Sequence, residues 1–134
     1  MSEFTDQCAV MQWARMNAVR HPELRWLNAS LNGVPLYPRV ASRMKAAGMT
    51  AGVSDLFLPV ARGSYGGLFV ELKVGRNKPS EDQLEFIEFV QKQNYRAVVV
   101  YGVKQAVNVI AEYLEIDLPF EGDAMIYPIG TKGA

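Results

Sequence analysis

At 134 residues, 49% apolar and 21% charged, the chain has the size and balance expected of one soluble globular domain. No apolar run approaches the roughly eighteen residues of a membrane span, the start Met1 to Asp6 lacks the basic flank and apolar block of a signal peptide, and the single Cys8 and single His21 exclude an internal disulfide and a His/Cys zinc site. Fourteen basic and fourteen acidic residues cancel, which argues against a nucleic-acid footprint over the whole surface but not against one gathered on a single face.

A lone cysteine also points to a reducing compartment such as the cytoplasm. In chain order, Thr5 is placed to cap a helix running to about Val19, with Val10, Met11, Ala14 and Ala18 at helical spacing and His21-Pro22 ending it. Arg25 to Ser30 reads as a short strand closed by a turn at Asn32-Gly33. Pro38 suits the first turn of a second helix, where its missing N–H costs nothing, and Gly48 suits its end. Val40, Ala41, Met44 and Ala47 fall on one side of that helix, with Arg39, Arg43 and Lys45 elsewhere on its surface. Leu56 to Val60 and Gly67 to Val74 flank a glycine-bearing loop, Ala61 to Gly66, which is a hairpin signal. Pro79-Ser80 opens a third helix, Ala97 to Tyr101 is a β-branched run of the buried-strand type, and a last helix spans about Lys104 to Leu114. This order predicts an α/β sandwich with helices on a mixed sheet. The domain is expected over residues 1–116, followed by an extended, possible interface-forming tail over 117–134 that carries the apolar stretch Ala124 to Tyr127.

The chemistry concentrates in Asp55, then fifteen residues, then Glu71-Leu72-Lys73. Side chains two apart on a strand share a face, so Glu71 and Lys73 project together, roughly 7 Å apart along the backbone. Asp55 begins the neighbouring strand, from which its carboxylate can meet that of Glu71. Taken alone, Glu-x-Lys on a strand is an ordinary solvated face. The Gly52-Val53-Ser54-Asp55 turn leading into a second strand points instead to a pair of carboxylates of the kind Mg²⁺ takes, with the backbone carbonyl of Leu72 as a further ligand. Lys73 could then orient or deprotonate a water, or offset charge in the transition state.

Gly52-Val53-Ser54-Asp55-Leu56-Phe57-Leu58-Pro59 followed by Gly67-Leu68-Phe69-Val70-Glu71-Leu72-Lys73 resembles the VRR-NUC branch of the PD-(D/E)XK nuclease superfamily, and the resemblance extends over about residues 3 to 115. It implies a three-layer, restriction-endonuclease-like core of order α-β-β-β-α-β and Mg²⁺- or Mn²⁺-dependent cleavage of DNA phosphodiesters. Asp55 and Glu71 match the metal-binding carboxylates, Lys73 the catalytic lysine, and Gln83 a glutamine reaching into the site from the following helix. A glutamate on the first helix near the metal is matched by Glu3, with Asp6 as its rival. The resemblance also implies a homodimer and selectivity for branched DNA such as four-way junctions or flaps. Two positions depart from the family: Ser54 replaces a frequent proline, and Phe86 stands where the superfamily often has tyrosine.

Bland explanations stand beside these. Ser80-Glu81-Asp82-Gln83 is a capping box in its own right, which accounts for Gln83 without catalysis, and an acid in a first helical turn is expected from the helix dipole. Arg62 in the hairpin loop, Arg76 and Lys78 after the second strand, and Arg39 and Arg43 are candidate DNA-phosphate contacts, or simply solubilising charges. His21 reads as a capping or surface residue, and Trp13 and Trp26 as core or interface. The alternatives to a DNA endonuclease are a non-catalytic DNA-binding or assembly subunit that keeps the fold, and a nuclease acting chiefly on RNA.

Overall fold

The computed structural model describes residues 2–120; the apolar stretch Ala124 to Tyr127 lies outside them. The chain runs α1 (Glu3–Asn17), a 3-10 helix (Pro22–Trp26), β1 (Asn28–Ala29), α2 (Pro38–Ala46), β2 (Leu56–Leu58), β3 (Leu68–Lys73), α3 (Glu81–Lys92), β4 (Arg96–Tyr101) and α4 (Gly102–Leu114). The order of helices and strands is the one expected, with two corrections near the start. The cap of α1 is Ser2, not Thr5. Ser2 Oγ accepts from the Thr5 N–H while Thr5 Oγ1 accepts from the Ser2 N–H, a reciprocal box that starts the helix earlier and puts Glu3 in its first turn. The strand expected over Arg25 to Ser30 shrinks to Asn28–Ala29. Pro22, which has no N–H for a ladder and a preset φ, opens a 3-10 helix there, closed by Leu24 N–H to His21 and Leu27 N–H to Leu24.

The four strands lie in the order β1-β2-β3-β4, antiparallel except for the parallel β3–β4 pair joined through α3. One face of the sheet, with Leu56, Leu58, Leu68, Val70 and Leu72, packs on Val10 and Ala14 of α1 and on Val107, Ile110 and Leu114 of α4. On the other face Ile87 and Val90 of α3 meet Ala97 and Val99, beside a ring cluster in which Phe57 stacks on Phe69 at 4.4 Å and Phe86 meets Phe69 edge-on at 5.0 Å. This is a three-layer α/β/α sandwich. Full burial of each large apolar side chain contributes about 1.5–3 kcal/mol, so the face carrying five strand residues between two helices holds the fold together. Because α3 covers the second face, strand alternation places Glu71 and Lys73 indoors, 1% and 7% exposed. The solvated-face reading of that strand is overturned.

Two connections depart from regular packing. Pro38 opens α2 and Gly48, at φ +119°, follows its C-cap Ala47 as expected, yet no residue of α2 is buried, and Ala41 and Met44 on its apolar side are half-buried. The loop from α2 to β2 then presses against the start of α3. Gly52 sits at φ +90°, and a Cβ there would lie 2.4 Å from the carbonyl oxygen of Asp82. Gly52→Ala is therefore expected to cost about 1–3 kcal/mol and lower the melting midpoint by several degrees. An unchanged midpoint would mean the loop can move off α3 freely. Beyond α4, Asn108 accepts from the Phe120 N–H at 3.1 Å and donates to its carbonyl at 3.3 Å, so the first residues of the expected tail are tied back to the last helix.

Candidate active site

Asp55 stands just ahead of β2. The ladder between β2 and β3 ends at the Leu56–Val70 pair, which leaves the N–H of Leu72 without a strand partner. Asp55 Oδ2 accepts that N–H at 2.7 Å, and the Asp55 carbonyl accepts from Ser30 N–H at 2.9 Å. One residue thus ends a strand pair and fixes its carboxylate against β3.

Glu71 faces Asp55 from β3. Its Oε2 accepts from Gln83 Nε2 at 3.1 Å and lies 3.6 Å from Lys73 Nζ. Its Oε1 is buried without a hydrogen-bond partner. Burial, and then the Asp55 carboxylate through its charge and a shared hydrogen bond, pushes the Glu71 carboxyl up to about 9 against the pull of Lys73.

Both explanations of Gln83 hold at once. Its Oε1 accepts from Ser80 N–H at 2.8 Å as the far half of a capping box, and its Nε2 is the donor to Glu71. The cap freezes the side chain in the pose that reaches the site. Lys73 is caught between Glu71 and Glu3, whose Oε1 is 3.9 Å from Nζ. Glu3 lies behind the lysine, and no cluster of three His, Cys, Asp or Glu side chains able to hold a metal exists among the described residues. Glu3 thus stands next to the lysine, close enough for its charge to act on Glu71. Asp6, its rival, is a buried residue of α1.

The donor set nonetheless suits a hard divalent cation, which is held by one or two carboxylates and keeps several waters. The two carboxylates face each other, one of their oxygens is an orphan, and the N–H and C=O of a strand residue leave by the same edge, so Leu72 presents its carbonyl on the side of Asp55. The other buried side-chain atom without a partner among the described residues is Ser54 Oγ, at the position where proline is frequent.

The basic candidates divide. Arg76 and Lys78 are exposed in the loop directly after Lys73, and neither makes an ion pair among the described residues. Arg39 and Arg43 are exposed on α2, whose preceding turn passes close to the site: a Cβ on Gly33 would lie 3.7 Å from Asp55 Oδ1. Arg62 is not brought to the site. It sits in the loop that closes the β2–β3 hairpin, at the end opposite Asp55, and pairs with Glu23 at 2.8 Å. His21 precedes the 3-10 helix without a side-chain capping bond, Trp13 packs against the core, and Trp26 is 59% exposed beneath Arg25.

The sequence matches the family described as the VRR-NUC domain over residues 6–104. The chain belongs to the VRR-NUC domain family. A solved structure described as a VRR_NUC domain protein is 30% identical, covers 93% of this chain and 97% of its own, and superposes with a TM-score of 0.69. No curated protein sequence matches. The matched VRR-NUC region takes in Asp55, Glu71, Lys73 and Gln83 and begins after Glu3. Membership implies nuclease-type DNA processing on a PD-(D/E)XK core, and the three-layer sandwich agrees with that core. Among the described residues of this VRR-NUC chain no helix is long and apolar enough to cross a membrane.

Two residues beside the site carry no signal in the sequence. Asn77 reaches Glu3 and Tyr101 reaches Asn77. Only the parallel β3–β4 register, in which Lys73 pairs with Tyr101, brings them there.

Proposed function

We propose that this VRR-NUC chain is a Mg²⁺- or Mn²⁺-dependent DNA endonuclease, acting as a homodimer and selective for branched substrates. The observation that carries the reading is the unpartnered, buried Glu71 Oε1 facing Asp55 beside a buried lysine. A buried carboxylate oxygen left without a donor is costly in a finished fold and is accounted for by a cation. Asp55, Glu71 and the Leu72 carbonyl would hold the ion. When bound it would supply an acidified water and offset charge on the phosphoryl group.

The protein's own groups do the rest. Asp55, tied to Leu72 N–H, and Glu71, tied to Gln83, keep their carboxylates in place through the reaction. Lys73 brings an ammonium beside Glu71, where it stabilises the extra negative charge of the transition state and donates to the attacking oxygen. Arg76 and Lys78 on one side and Arg39 and Arg43 on the other hold phosphates flanking the cut. Exposed cations flanking the site in this way would reconcile zero net charge with DNA as substrate. For the dimer, Phe4 and Leu31, 47% and 45% exposed, border a cavity of about 410 Å³ that Met11 and Leu27 also line, an apolar surface suited to a second copy. A sedimentation mass of one chain at micromolar concentration removes the dimer from the proposal.

The test is cleavage of labelled single strands, plain duplex, flaps and a four-way junction with Mg²⁺, with Mn²⁺ and with chelator. The expected result is cutting that needs the metal and favours branched DNA. Equal cutting of an RNA panel would move the substrate class. Absence of any cutting, with no metal-induced rise in melting midpoint, would leave a DNA-binding subunit that merely keeps the fold.

A further inference from the structure

Tyr101 ends β4, in register with Lys73 on the parallel neighbour β3. Its ring packs with the cluster around Ile87 and Val99, and its hydroxyl leaves that cluster to donate a 2.6 Å hydrogen bond to the carbonyl of Asn77. Asn77 lies in the loop just after Lys73, folded back by its own N–H on the Val74 carbonyl at 3.1 Å. Its side-chain amide donates to Glu3 Oε2 at 3.5 Å, and the other oxygen of Glu3 is the one 3.9 Å from Lys73 Nζ. The path from the Tyr101 hydroxyl therefore returns to the neighbouring lysine by way of the loop and α1.

The physical need for such a path is plain. A lysine carries its charge on a flexible four-carbon stem, and Lys73 is held by two carboxylates, Glu71 at 3.6 Å and Glu3 at 3.9 Å. Glu71 belongs to the proposed cation site, so it cannot by itself fix the ammonium. Glu3 lies in the first turn of a helix with its side chain 34% exposed, free to turn to solvent unless something steadies it. Asn77 is a group that touches it, and Tyr101 holds the Asn77 carbonyl while the Val74 carbonyl holds its N–H.

We propose that Tyr101 is a positioning residue: through Asn77 and Glu3 its hydroxyl sets where the Lys73 ammonium stands relative to Glu71. This rests on Lys73 acting in cleavage. Tyr101→Phe removes one oxygen and keeps the ring. Outer partners of this kind are worth about ten- to a hundred-fold in activity, so kcat is expected to fall roughly ten-fold with KM unchanged and the melting midpoint nearly so. Asn77→Ala is expected to match it. In the Asn77→Ala background, adding Tyr101→Phe should then lower kcat less than about two-fold, since the relay is already cut.

Unchanged kcat in Tyr101→Phe overturns the proposal. So does a rise in KM at constant kcat, which would make the loop a substrate grip only, and so do losses that multiply independently in the double variant. Amide hydrogen exchange gives a readout that needs no substrate. Residues 74–80 are expected to exchange faster in Tyr101→Phe than in the parent chain, and unchanged exchange overturns the pin even in a protein that cuts nothing. Faster exchange in a chain with no cleavage on any substrate would instead retire the nuclease reading and leave the structural relay standing.

Discussion

Lys73→Ala is expected to cut DNA about a hundred to ten thousand times more slowly than the parent chain, while keeping the rise in melting midpoint that Mn²⁺ produces. The two halves of this result separate chemistry from binding. Lys73 lies beside the carboxylate pair at 3.6 Å from Glu71 but offers the cation no oxygen, so its removal takes away transition-state stabilisation and leaves the ligands in place. Asp55→Asn is the contrasting variant. Its side-chain oxygen can still accept the Leu72 N–H that Asp55 now holds at 2.7 Å, so the fold survives, but a formal charge at the site is lost. It should lose both cleavage and the thermal shift, a shift worth about 2.7 kcal/mol for a ligand at a hundred times its Kd. Parent-like cutting by Lys73→Ala, or a thermal shift intact in Asp55→Asn, would break the assignment of roles.

At pH 8 and without metal, Glu71→Gln is expected to melt several degrees above the parent, the reverse of the usual result for a buried charged residue. The sign follows from proton linkage. Glu71 holds its proton up to about 9 in the folded chain, against 4.5 as the ordinary value. Below the ordinary value both states are protonated, and what this group contributes is fully present. Above it the unfolded chain releases a proton that the folded chain keeps, so stability drains away as pH rises, at up to about 1.4 kcal/mol per pH unit, until the folded carboxyl ionises too. Glutamine cannot ionise, and its side-chain oxygen can still accept from Gln83 Nε2 as Glu71 does. The melting curves of the two chains should thus diverge from about pH 5 toward pH 9. Adding Mn²⁺ should reverse their order, because the cation draws the proton off Glu71 and cannot do so from an amide. Parallel pH curves, or a glutamine variant less stable at pH 8, would show that Glu71 is ionised in the empty site.

The hairpin is legible because its two strands are apolar and flanked by turn residues; Asp55 just ahead of the first and Glu71 in the second then come to face each other. The capping box at Ser80 was legible for the same local reason. Arg25 to Ser30 has strand-like residues, yet Pro22 just upstream decides for a 3-10 helix and leaves only Asn28–Ala29 as strand. The cap of α1 was misplaced by three residues, since Ser2 and Thr5 are both good caps and only their reciprocal hydrogen bonds decide between them. Arg62 lies in the hairpin loop, and a hairpin sends its loop and its open end, where Asp55 stands, in opposite directions.

What the sequence determined by itself is therefore the local and near-local part: the helices with their caps, the hairpin, the carboxylate pair, the lysine two residues on, and the family that shares them. The tertiary structure decided the rest. It buried Glu71 and Lys73 under α3, turned a helix cap into a hydrogen bond on Glu71, set Glu3 at 3.9 Å from the Lys73 ammonium, and brought Tyr101 to the loop that follows Lys73. The reason is the range of the interactions. Caps and hairpin turns are settled by bonds between residues a few positions apart, whereas burial and the parallel β3–β4 register arise only when α3 crosses the sheet, and it is burial that moves the Glu71 proton and leaves its second oxygen for a cation.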